Sequence, residues 1–210
     1  MNEFPGQESG LLRWVGKMGT FLGLSVLWIL LCLPLLTIIP ACVALYDGVV
    51  YCVRGDEPGP YRRFFATLKA ELGRGILLSV LWIVVVLLAV VGFRILSNVG
   101  MENTLFSIYT MVYAGTMLIP LAMLTWVIPL QARFRYGFFE LHHAALSFAI
   151  LHLPTTALVM GLLLVAALVA LVMPVLLLLI PAILVTVQAK FIEKVLVQYE
   201  DEELTADEEE

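Results

Sequence analysis

The chain has 210 residues, of which 61% are hydrophobic and 14% charged, and its mean hydropathy is +0.99. Soluble domains run near half apolar and a quarter charged, so a water-soluble fold of this length would have to hide more apolar surface than it can enclose. The net charge of −5 comes from the last eleven residues, since removing their eight acids leaves twelve bases against nine acids, and no basic soluble face for nucleic acid is left over.

The charge-free stretches organise the rest. Residues 18–46, 75–93, 103–132 and 141–189 carry no Asp, Glu, Lys or Arg. A spanning helix needs about 20 apolar residues, so the first three each suffice for one crossing. The last has 49 residues, roughly 70 Å as a single helix, and must fold back to cross twice. The alternation of a transmembrane barrel in segments of about ten residues is absent. The expectation is an all-α, polytopic transmembrane helical bundle embedded in a lipid bilayer.

In chain order, residues 1–18 read as a polar segment leading into an interfacial helix, with Leu11, Leu12, Val15 and Met18 at helical spacing and Arg13 and Lys17 on another face. The transmembrane domain covers 19–198. Its first crossing runs over 20–33, where Gly19 and Gly23 form a GxxxG pair that either permits close helix approach or is a coincidence. Pro34 and Pro40 each remove a backbone donor and restrict the preceding residue. Either one broken crossing continues to about Tyr46, or the chain turns there and 41–53 returns as a short helix.

Positive-inside counting favours the turn. It places eleven bases on the cytoplasmic side and only Arg94 outside, against nine and three without it. Six hydrophobic segments with both termini cytoplasmic follow, in what would be a bacterial cell membrane, with five crossings as the alternative. The later segments are 75–96, 105–130, 144–171 and 175–189, joined by an outer loop near 97–103, a cytoplasmic loop over 131–143 and a tight turn near Met173–Pro174.

Between the second and third segments, residues 55–60 (GDEPGP) form a turn cluster. Tyr61, Phe64, Phe65, Leu68 and Leu72 then recur on one helix face. This predicts a separate amphipathic helix over 60–73 on the inner membrane surface. Arg62, Arg63, Phe64, Phe65 and Lys69 are its candidate contacts with headgroups or with a membrane partner. Residues 199–210 read as a disordered acidic tail.

Residues that could carry chemistry are few. Cys32, Cys42 and Cys52 lie ten apart without a CxxC and read as small core residues. The run 39–42 (IPAC) loosely resembles a lipoprotein cleavage box, but the apolar run before it is too long for a signal peptide. Adjacent His142 and His143 diverge on a helix, and no phosphate loop, metal-ligand cluster or nucleophile set is assembled. The reading is non-enzymatic, without cofactor. One acid stands beside an apolar segment: Asp47, costly at membrane depth unless paired or hydrated. Thr37, Tyr46 and Tyr51 could hydrogen-bond near it. The cluster reads either as a polar cavity or helix contact or as a wet boundary.

The run 33–46 (LPLLTIIPACVALY), followed by Arg54-Gly55-Asp56 and by 61–69 (YRRFFATLK), resembles the YesL family of bacterial membrane proteins. Gly10-Leu11-Leu12-Arg13 matches that family's opening segment, and the likeness extends from Gly10 to about Trp82. Ile39 stands where the family has glycine, and Asp47 where it is usually apolar or aromatic, which implies that Asp47 is not a family-wide catalytic acid. The resemblance implies a domain of unknown function whose members are often encoded beside carbohydrate ABC importers. The expectation is a non-enzymatic accessory component of carbohydrate ABC import, with a sugar ABC transporter permease as partner and self-association also open. The alternative is a small transporter or channel in its own right.

Overall fold

The computed structural model describes residues 10–54, 59–98 and 104–208. The residues expected as a loose N-terminus (1–9), the first four residues of the predicted turn cluster (55–58) and most of the outer loop (99–103) lie outside the described residues. Among the described residues seven α-helices follow one another: α1 Gly10–Cys32, α2 Ile38–Arg54, α3 Pro60–Asn98, α4 Thr104–Arg133, α5 Phe138–Leu151, α6 Leu153–Val172 and α7 Ile180–Glu208, with 3-10 turns at Leu35–Thr37 and Pro174–Leu178. No strand occurs among the described residues.

Among the described residues three helical stretches are long and apolar enough to cross a membrane: Pro60–Leu96, Phe106–Arg133 and Leu153–Val172. Only 11% of the most apolar part of the first is buried within the chain. Its Val86, Leu87, Leu88 and Val90 face outward, an arrangement that lipid tolerates and water does not. Gly16–Cys32, Leu35–Tyr51 and Phe138–Leu151 are shorter apolar helical stretches.

The chain does turn at Pro34–Pro40. Trp28 Nε1 of α1 donates to Cys42 Sγ of α2 at 3.3 Å, and a Cβ at Gly48 would lie 3.8 Å from Leu24. α2 therefore doubles back antiparallel to α1, and a single broken crossing over 20–46 is not what forms. α2 is the hub of the fold. Its Val43 and Ile39 enter a core with Trp82, Trp126, Leu130 and Ile192, while Ala44, Leu45 and Val49 enter a second core with Phe21, Leu24 and Phe64.

Helix ends inside an apolar bundle need partners for their orphan N–H and C=O groups. Thr37 supplies one set, its hydroxyl donating to Pro34 O at 2.8 Å and lying against Leu31 O. Ser79 Oγ of α3 accepts from Ile39 N at 3.1 Å, at the start of α2. Ser25 Oγ of α1 accepts from Ala182 N at 3.3 Å, at the start of α7.

Three expectations change. The predicted separate helix over 60–73 is the first part of α3, a single helix of 39 residues and about 58 Å. It pairs with α2 from end to end: Gly48 meets Phe64, Pro40 meets Gly75, and Ile39 meets Ser79. α2 thus lies beside the basic part of α3 and the first turns of its charge-free part. The loop expected over 131–143 shrinks to 134–137, because α5 starts at Phe138, where the Glu140 carboxylate accepts from Gly137 N at 2.8 Å. The segment expected over 144–171 is broken between α5 and α6 at His152, since Pro154 lacks a donor and crowds the preceding turn. The Thr156 hydroxyl lies 3.2 Å from Ala149 O and 3.0 Å from His152 O across that break. α7 spans Ile180–Glu208.

Candidate functional site

Polar side chains converge where the second half of α2 meets the start of α3, the end of α4 and the middle of α7. Asp47 projects from α2 between two turns of α3. Arg63 Nε donates to its Oδ2 at 2.7 Å and Nη2 to Oδ1 at 3.4 Å, and the Thr67 hydroxyl also bonds Oδ2. Arg63 and Thr67 are i and i+4, one above the other on a helix face, which is why one carboxylate reaches both. The Asp47 side chain is 16% exposed, whereas Arg63 is 52% exposed and lies 5.7 Å over the Tyr51 ring.

One turn deeper, Glu71 Oε2 accepts from Gln131 Nε2 at 3.0 Å, linking α3 to α4. Arg133 at the end of α4 pairs with Glu193 of α7. The Tyr46 hydroxyl of α2 donates to the same carboxylate at 3.1 Å. A cavity of about 320 Å³ opens among Asp47, Arg63, Thr67, Glu71, Gln131 and Arg133.

The predicted polar group is thus only partly assembled. Asp47 is a helix contact, but its partners are Arg63 and Thr67. Tyr46 reaches Glu193, Tyr51 reaches Asp47 only through Arg63, and Thr37 sits ten residues earlier, about 15 Å along α2, where it closes the end of α1. The sequence marks Gln131 only as the end of a segment and does not single out Thr67, Glu71, Arg133 or Glu193. Their one visible signal was position, as polar residues at the edges of apolar runs.

The predicted contact face divides as well. Phe64 and Leu68 are buried against α2, and Arg63 is committed to Asp47. Arg62, Phe65 and Lys69 are exposed, with Tyr61 and Leu72 beside them. These form one outward stripe at i, i+3 and i+7.

Chemically the arrangement is a set of compensated contacts. Each carboxylate in it already accepts from a neighbouring helix. Among the described residues no group of three or more His, Cys, Asp or Glu could hold a metal ion. His142 Nδ1 contacts Phe138 O at 2.8 Å and His152 Nε2 contacts the Tyr199 hydroxyl at 3.4 Å, so these two histidines serve different neighbours.

No curated protein and no solved structure matches the chain. A family model described as "Protein of unknown function, DUF624" matches residues 21–93, which covers the second half of α1, α2 and the greater part of α3, so over that stretch the chain is similar to this family.

Proposed function

We propose that this protein is a non-enzymatic accessory component of a bacterial cell-membrane complex, docking through the outward face at the start of α3. The observation that carries the reading is the division of that helix. Its inward residues Phe64 and Leu68 are consumed by α2 and Arg63 by Asp47, while Arg62, Phe65 and Lys69 face out unburied. An exposed aromatic flanked by bases suits an interface core with a charged rim. The clustering of bases at this end supports a cytoplasmic placement of it and of both termini. The resemblance to the YesL family makes a sugar ABC transporter permease the leading partner.

The test is purification of the tagged protein from native membranes in mild detergent, with co-purifying proteins identified by mass spectrometry. Stoichiometric recovery of an ABC permease from wild type, lost in Phe65→Glu, is the expected result. Recovery of the protein alone, or only with further copies of itself, overturns the accessory reading.

A second reading, a small transporter, rests on the cavity of about 320 Å³ beside Asp47. Asp47→Ala separates the two, because a transporter using that acid loses uptake while an accessory protein keeps its partner.

A further inference from the structure

The cavity beside Asp47 has five charged residues in its wall, Asp47, Arg63, Glu71, Arg133 and Arg135, and the ion pairs of the fold leave two of them over. Arg63 is bound to Asp47 and Arg133 to Glu193. Glu71, half-buried on α3, accepts from Gln131 through Oε2, while its Oε1 has no partner among the described residues and is open to solvent. Arg135, in the link between α4 and α5, is exposed and forms no ion pair among the described residues.

The two leftover charges are of opposite sign, and they do not pair with each other. Together they select the kind of ligand. A simple anion would meet Arg135 but be repelled by Glu71, a simple cation the reverse, and a neutral sugar would compensate neither. A zwitterion satisfies both walls. At about 320 Å³ the space lies at the lower end of small-ligand sites, about 300–1,000 Å³.

Depth selects the source of the zwitterion. Glu71 stands one turn before the charge-free stretch 75–93, about 6 Å along α3. Arg135 stands just beyond the charge-free stretch that ends at 132. Both therefore lie where apolar helices emerge among headgroups. A smaller cavity of about 190 Å³ shares Gln131 and Phe134 with the first and is walled by Leu77, Leu78 and Leu141, an apolar continuation that a soluble zwitterion would not need. We propose that the cavity beside Asp47 binds the headgroup of phosphatidylethanolamine, with its phosphate on the Arg135 guanidinium and its ammonium donating to Glu71 Oε1. A guanidinium matches phosphate oxygens, and a primary ammonium supplies the N–H donors that a quaternary choline lacks.

The experiment titrates the detergent-purified, delipidated full chain with phosphatidylethanolamine, with phosphatidylcholine of the same acyl chains, and with free O-phosphoethanolamine. Native mass spectrometry reads affinity and stoichiometry. The expected result is saturable one-to-one binding of phosphatidylethanolamine, with phosphatidylcholine about tenfold weaker, the low end for a hydrogen bond to a charged group. Free O-phosphoethanolamine should bind at least about tenfold more weakly than the lipid, because it lacks the apolar contact. Glu71→Gln should bind both lipids alike, and Arg135→Gln should weaken both by a similar factor. Glu71→Gln keeps an acceptor for Gln131 and Arg135 is unpaired, so both variants should fold; should either fail, the ratio of the two lipids in wild type decides. Equal affinity for the two lipids in wild type, a preference that survives in Glu71→Gln, undiminished binding by Arg135→Gln, or binding without a one-to-one limit each overturns the proposal. Free O-phosphoethanolamine binding as tightly as the lipid assigns the site to a soluble zwitterion and overturns the lipid source.

Discussion

Arg133→Met should destabilise the bundle far more than Arg63→Met, although each removes one arginine from one ion pair. The Arg133 and Glu193 side chains are 19% and 15% exposed, whereas Arg63 is 52% exposed. Removing one partner of a buried pair strands the other charge and costs about 3–5 kcal/mol. Tyr46 still donates to Glu193, so the low end, about 3 kcal/mol, applies. Asp47 would keep its bond from Thr67, and the exposed Arg63 contributes only about 1 kcal/mol. At about 2–4 °C per kcal/mol for a chain of this size, the expected losses are about 6–12 °C and about 2–4 °C. The double variant Arg133→Met/Glu193→Met should recover most of the loss, because an apolar pair restores compensation. It should retain about 1 kcal/mol from the lost Tyr46 bond. Reversible unfolding in detergent, followed by tryptophan fluorescence, gives all four corners of the cycle. Equal small losses for the two arginine variants, or a coupling below about 0.5 kcal/mol, would refute the assignment of Glu193 as the junction of α2, α4 and α7.

Further outcomes follow from the helix contacts. Gly75→Ala would place a Cβ 2.7 Å from the rigid Pro40 ring, so it should cost about 1–3 kcal/mol in the same assay. Gly73→Ala, with nothing within 4 Å of the added atom, should stabilise by about 0.5–1 kcal/mol. Ser79→Ala leaves Ile39 N without its acceptor and should cost about 1–3 kcal/mol, with faster amide exchange at the start of α2 as its local signature. Asp47→Ala should lower stability by about 1–2 kcal/mol while the partner still co-purifies.

The all-helical architecture was legible because charge-free stretches of this length admit few alternatives, and the reversal at Pro34–Pro40 because it puts eleven of the twelve bases on one side. The continuity of α3 was not. Gly73-Arg74-Gly75 has the composition of a boundary, yet Gly75 is there to let Pro40 approach. The stripe from Tyr61 to Leu72 is wide enough that α2 covers only one edge of it. Phe64 and Phe65, neighbours about 100° apart on the helix, therefore meet opposite fates. Asp47 was visible as an anomaly, but its partners depend on the register between α2 and α3, which no local periodicity specifies. Ser25 and Ser79 could have been found by asking where the first N–H groups after a proline-broken turn find acceptors, since each is a hydroxyl inside an apolar run.

The most direct measurement of the docking claim is photo-crosslinking in native membranes from a photoreactive residue placed at position 64 or at position 65. The proposal predicts a discrete protein adduct, identified as an ABC permease, from position 65, and only crosslinks within the chain from position 64. Lipid adducts alone from position 65, or the same partner adduct from both positions, would contradict it.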